Sequence, residues 1–305
     1  MSAMFARMRR SELHVHLEGS IYPETLRAID PSLAAADLPA GPSAAGSFAS
    51  FIDAYKWTVE RLRTPEHYAL ATRDLLRRLA GQDVSYAEIT LSAGVVLWKG
   101  QDLDRTFDAI AAETARAPFP VRWIVDAIRH FGAEAARPVA EFAIRRKSDG
   151  IVAFGIGGDE VRGPAEWFRD LFAMCRAGGL HLVCHAGEIA GPESIRAAIA
   201  IGAERIGHGI SAVQDPELMA ELRQRDIPLE ICITSNVCTG AVASLDEHPV
   251  RRLFDAGVPI TLNSDDPALF DTTLAREYEI AAEHFGFTAQ ELGAIAENGF
   301  RYAFR

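Results

Sequence analysis

Eight short apolar runs, most of them rich in β-branched residues, recur along the chain with helical patterns between them, and this alternation restricts the fold more than any other feature. The runs are Glu12–His16, Val84–Leu91, Val121–Ala127, Ile151–Gly155, Leu180–His185, Arg205–Gly209, Leu229–Ile233 and Pro259–Leu262. Amphipathic helical patterns fill the intervals at Leu103–Arg116, Ala133–Arg146, Ala165–Ala177, Glu193–Ala200, Pro216–Arg225 and Val250–Ala256, several of them stopped by Gly or Pro. Strands joined through helices pair in parallel. Eight such units predict an α/β fold closed into a (β/α)8 TIM barrel, and 305 residues suffice to build it as a single domain over residues 1–305.

One stretch breaks the rhythm. From Asp30 to Ala49 the chain is rich in Ala, Pro, Gly and Ser, and two helical segments, Phe51–Leu62 and Glu66–Leu79, follow before the second strand. An insertion of this kind, over about residues 30–80, is longer than the roughly 12 to 15 residues of an ordinary connection and is expected to be a helical lid. No internal repeat or low-complexity tail is present.

The formal net charge of −11 argues against a nucleic-acid partner, because phosphate backbones are held by clustered Lys and Arg. No apolar run reaches the roughly 18 to 20 residues of a membrane helix. The basic N-terminus is followed by Glu12, His14 and His16 rather than by an apolar secretory segment, so the chain reads as cytoplasmic. The four cysteines, Cys175, Cys184, Cys232 and Cys238, show no CxxC spacing and are expected to be buried free thiols.

Chemistry concentrates where strands end. His14 and His16 stand two apart on the first run, so a period of two turns both rings to one face, the interior of a barrel. Two polar rings buried without partners would cost several kcal/mol, which favours a shared ligand. The fifth run ends in His185 with Glu188 just beyond, the sixth contains His208 between two glycines, and the eighth leads into Asp265 and Asp266. Barrel active sites are assembled from strand C-termini, so the coincidence of these positions is the signal. Three imidazoles and a carboxylate make an N/O shell suited to zinc. His67, His130, His181, His248 and His284 fall on helices, strand starts or loops and receive only structural roles.

The ordered motifs ELHVHLEG, HAGE, RIGHG, TSN…TG and LNSDDP, spread over residues 12–267, resemble the adenosine deaminase family of the amidohydrolase superfamily. The resemblance implies a zinc-dependent hydrolytic deaminase of adenine-type purines, with zinc on His14, His16, His185 and Asp265. It makes Glu188 the proton donor to ring N1, His208 the residue that orients and stabilises the hydroxide, Asp266 the partner of N7 and the Gly158 amide the partner of N3. The absence of lysine between Lys147 and the end of the fourth run implies one zinc per chain, since binuclear members of the superfamily bridge two metals with a modified lysine there. The expected partner is a small purine. Glu18 stands where adenosine deaminases usually carry an Asp that meets the 5′-hydroxyl and where adenine deaminases read LEG. Thr239-Gly240-Ala241 instead resembles the nucleoside enzymes. The expected substrate is an adenosine-like nucleoside; 6-aminodeoxyfutalosine and adenine are the alternatives, with Glu18 and the region from Asp30 to Leu62 setting specificity on the 5′ side. An ester, lactone or amide hydrolase on the same barrel would keep the HxH pair and the distal Asp but would not need HAGE together with the paired aspartates.

Overall fold

A computed structural model describes residues 8–38 and 46–304, so the N-terminal leader reading and the middle of the Asp30–Ala49 stretch lie outside the described residues. The eight runs become eight parallel strands: β1 (Arg10–His16), β2 (Val84–Leu91), β3 (Val121–Ile128), β4 (Ile151–Gly157), β5 (His181–Ala186), β6 (Arg205–His208), β7 (Leu229–Ile231) and β8 (Ile260–Leu262). They lie in sequential order in one sheet, each paired with the next, and helices occupy the connections as the periodicity predicts. Closure between β8 and β1 is narrow. Beyond β8, the Asp265 amide donates to the His14 carbonyl at 2.9 Å and the His16 amide to the Asp265 carbonyl at 2.8 Å, so residues picked out as metal ligands also close the ring.

Register adds a local device on β1. Glu12 pairs with Ala87 but Val15 with Ile89, so β1 carries one extra residue around His14. Such a bulge re-aims side chains and is a recurrent feature beside active sites.

The apolar core lies mainly between sheet and helices, around Phe107, Trp123, Phe154 and Phe172. A second, smaller cluster joins Ile124, Ala153 and Val183 with Phe304, which the C-terminal segment delivers after the Ala289–Arg301 helix. Two segments differ from the sequence reading. Residues 165–177 are split into a 3-10 turn, Ala165–Phe168, and an α-helix, Arg169–Ala177, and the seventh run, read through Ile233, ends as a strand at Ile231, with Ile233 opening a short helix, Ile233–Cys238, that carries the TSN segment. Within the insertion the helices run Phe48–Val59 and Pro65–Ala80. Cys175, Cys184 and Cys232 are buried free thiols and Cys238 is half-buried. Among the described residues no helix is long and apolar enough to cross a membrane.

Candidate active site

At the C-terminal end of the barrel, side chains from β1, β5 and the end of β8 converge. His16 Nε2 lies 3.2 Å from His185 Nε2 and 3.4 Å from Asp265 Oδ1, while His14 Nε2 lies 3.3 Å from the same Asp265 oxygen. Ligands about 2.0–2.1 Å from one zinc at tetrahedral angles would themselves be about 3.3 Å apart, which matches these three separations. His14 Nε2 is buried and has no hydrogen-bond partner among the described residues, so the protein itself leaves that nitrogen unused. Asp265 adopts φ 62° and His208 φ 61°, left-handed conformations that non-glycine residues hold at a cost when the surrounding structure imposes them.

The opposite ring nitrogens are occupied. His14 Nδ1 lies 2.8 Å from Glu230 Oε2, and His185 Nδ1 donates to the Ile156 carbonyl at 3.2 Å. Both contacts place the proton on Nδ1 of the neutral ring and leave Nε2 free to face the centre. Ser235 Oγ donates to Asp265 Oδ2 at 2.6 Å and fixes the carboxylate.

Glu188 and His208 flank this quartet, with His208 Nε2 3.7 Å from Glu188 Oε2 and 4.0 Å from Asp265 Oδ2. Burial, with the Asp265 and Glu160 carboxylates nearby, pushes the Glu188 carboxyl up to about 8, so it holds a proton at neutral pH. Thr239 Oγ1 donates to Glu188 Oε1 at 3.3 Å. The turn carrying Glu188 is anchored by buried Glu160, which accepts from the amides of Gly187 (2.7 Å), Glu188 (2.9 Å) and Ile189 (3.1 Å). Sequence reasoning missed Glu160, although it lies only two residues past Gly158.

The proton on His208 is fixed from a distance. The Val250 amide can only donate, and it donates to His248 Nδ1 at 3.2 Å, so His248 carries its proton on Nε2. That Nε2–H donates to Asn236 Oδ1 at 3.1 Å, and Asn236 Nδ2 in turn donates to His208 Nδ1 at 3.1 Å. His208 must then carry its proton on Nε2, the nitrogen that faces Glu188 and Asp265. Burial lowers both rings, His248 to about 3 and His208 to about 4, so both are neutral. His248, given only a structural role from sequence, thus sets the tautomer of a site residue.

A cavity of about 470 Å³ opens above these groups and is lined by His16, His185, Glu188, His208, Asp265 and Asp266, with the Phe48–Val59 helix along one wall. Gly158, at φ 94°, lines it as expected. Asp266 lies on its wall with Oδ1 unpartnered, against Gly19, where a Cβ would fall 1.6 Å from that oxygen. Burial and the adjoining Asp265 raise the Asp266 carboxyl well above its ordinary range. Glu18 is placed differently from the rest. It is buried and does not line the cavity; its Oε1 accepts from the Ser92 amide at 3.1 Å, and Ser92 Oγ in turn bonds the Tyr55 hydroxyl at 2.6 Å. Asp126 and His130 do line the cavity, and neither was singled out from sequence.

Glu18, Asp126, Glu188, Asp265 and Asp266 are thus five buried carboxyls, and none pairs with Lys or Arg among the described residues. Such a cluster must take up protons or a cation.

Comparison with known proteins points the same way. The family described as adenosine deaminase matches residues 10–305. The chain is 41% identical to an aminodeoxyfutalosine deaminase of Streptomyces coelicolor, over 100% of this chain and 82% of the relative. It is 36% identical to an adenine deaminase of Rhizobium leguminosarum bv. trifolii, over 99% of this chain and 96% of the relative. The crystal structure of an adenine deaminase from Arthrobacter aurescens superposes with a TM-score of 0.89 at 26% identity, covering 98% of this chain and 94% of that one.

Proposed function

Because the chain belongs to the adenosine deaminase family, we propose that it replaces the 6-amino group of an adenine-type purine nucleoside by oxygen, consuming water and releasing ammonia, with one zinc ion per chain. The observation that carries this reading is the grouping of His14, His16 and His185, with Asp265 at zinc-ligand spacing from His14 and His16 and a protonated Glu188 beside them. The orphaned His14 Nε2 and the N/O donor set both fit the metal. Zinc held there would supply the Lewis acidity that makes water nucleophilic near neutral pH.

The chain's own residues account for the proton movements. Glu188 gives its proton to N1 as C6 is attacked, so the ring takes up the electron pair without building full negative charge. Asp265 takes one proton from the attacking water and passes it to the departing amine, which leaves as ammonia, and as the C6–N bond breaks the second water proton passes from the C6 oxygen to Glu188 and restores its acid form. His208 holds a proton on Nε2 and therefore acts as a donor that orients and stabilises the attacking oxygen, not as the base. Asp266, kept protonated by burial, donates to N7, and the Gly158 amide meets N3. The Phe48–Val59 helix, which forms one cavity wall, serves as the lid.

A second reading, a nucleoside enlarged at its 5′ end, is favoured by the cavity mouth. Trp98 and Phe131 line it with rings 6.1 Å apart and with 70% and 38% of their surfaces exposed, beside Lys56 and Arg162, which form no ion pair among the described residues. The Streptomyces relative is named for a substrate of this kind, the Rhizobium relative for the free base.

The test is a spectrophotometric comparison of kcat/KM on adenosine, adenine and 6-aminodeoxyfutalosine, with Glu188→Gln as control. Turnover of a nucleoside that falls by roughly 10²- to 10⁴-fold in the variant, with metal content unchanged, is the expected result. An enzyme inert on all three, or a variant as active as the parent, would discard the reading.

A further inference from the structure

Asp126 is a buried cavity acid to which the proposed chemistry gives no task, unlike Glu188, Asp265 and Asp266. It stands near the end of β3, is 2% exposed, and lines the cavity with a carboxylate that makes no hydrogen bond or ion pair to any described residue. Two glycines of the neighbouring strand make room for it. A Cβ on Gly155 would fall 2.6 Å from its Oδ1 and a Cβ on Gly157 2.6 Å from its Oδ2, so even alanine at either position would displace the group. Both of its oxygens therefore remain free in a place the neighbouring strand keeps clear, and desolvating such a carboxyl is costly unless a ligand partners it.

The ligand atoms follow from where the other contacts lie. In the pose proposed above, Glu188, Asp266 and Gly158 take N1, N7 and N3, which uses up the acceptor edges of the purine. N3 and N9 are bonded to the same ring carbon, so the N9 substituent lies beside the end of β4. Asp126 pairs in register with Gly155 of that strand. Left unpartnered, the buried Asp126 carboxyl is pushed up to about 8, whereas two adjacent hydroxyl donors, one on each oxygen, would hold it ionised. Resting on the deaminase reading, we infer that Asp126 is a specificity-determining residue that binds the vicinal 2′,3′-hydroxyls of a ribonucleoside, and that the chain acts on ribonucleosides in preference to the free base.

Four substrates test this without any variant: adenosine, 2′-deoxyadenosine, 3′-deoxyadenosine and adenine. The unsubstituted enzyme should lose roughly 10- to 100-fold in kcat/KM for each hydroxyl removed, the range of one hydrogen bond to a charged group. Asp126→Asn, which keeps shape and size, should cut adenosine turnover to the level of the deoxynucleosides while leaving adenine turnover within about threefold. Equal treatment of ribose and deoxyribose by the parent would overturn the inference. So would an equal loss on adenosine and adenine in Asp126→Asn, because that pattern assigns the residue to the metal centre or to folding. Turnover of adenine alone would refute the ribose claim and leave the deaminase chemistry standing, whereas no turnover of any of the four would remove the pose on which both rest.

Discussion

The two ends of the barrel bury charge for opposite purposes. At the closed end, Arg205 pairs with Glu88 at 2.6 Å and with Glu230 at 2.6 Å, and it donates to the Tyr302 carbonyl at 3.0 Å. The Phe304 ring lies 3.8 Å from its guanidinium carbon, and the Phe304 amide donates to Glu88 at 2.6 Å, so the C-terminal segment seals this end. Each charge there meets its opposite. At the open end Glu18, Asp126, Asp265 and Asp266 are buried and Glu188 nearly so, and none of them meets a Lys or Arg among the described residues. Glu230 belongs to both ends, holding Arg205 with one oxygen and His14 with the other. Burial alone does not mark function. What marks it is the compensation a group lacks inside the protein, because that deficit is what a metal or substrate makes good.

The largest expected effect breaks the closed end. Arg205→Met leaves Glu88 and Glu230 buried without their cation and should lower the unfolding free energy by about 3–5 kcal/mol in urea titration. Asp266→Asn at the open end, in the metal-free chain, should cost less than about 1 kcal/mol, since it removes an acid with no internal cationic partner. Equal losses from the two would erase the distinction.

The next effect tests whether the open end depends on arrangements farther out. Asn236→Ala removes the group that fixes the His208 tautomer and should lower kcat by roughly 10- to 100-fold, with KM and bound metal little changed. A rise in KM alone would assign Asn236 to substrate binding instead.

The smallest effect is one of pH. Burial raises the Glu188 carboxyl, so its protonated form persists up to about 8 and is lost above. The rate should be insensitive to this group below that point and fall by up to about tenfold per pH unit above it. A plateau extending well past pH 9 would mean that Glu188 is not the proton donor.

His14, His16, His185 and Asp265 were legible in the sequence because each lies on or just past an apolar β run, and alternation by two fixes which way a strand residue faces. Glu230 was invisible. It is a single acid inside a three-residue strand, 216 positions from the histidine it orients, and no motif announces it. Asp126 escaped for a related reason, since its free oxygens have meaning only beside the two glycines of β4. Glu18 shows the converse: its motif is plain, yet the fold sets it behind Ser92 and Tyr55 and away from the cavity wall.

The sequence by itself determined the eight-stranded barrel and the chemical types gathered at its mouth, because strand periodicity and the residues at strand ends are local properties of the chain. Tertiary structure alone decided the spacing of the four donor atoms, the tautomer of His208 and the separation of a self-neutralised end from an open one. Those depend on which distant residues meet when β8 closes on β1, and hydrogen-bond donors and opposite charges are matched only across that contact.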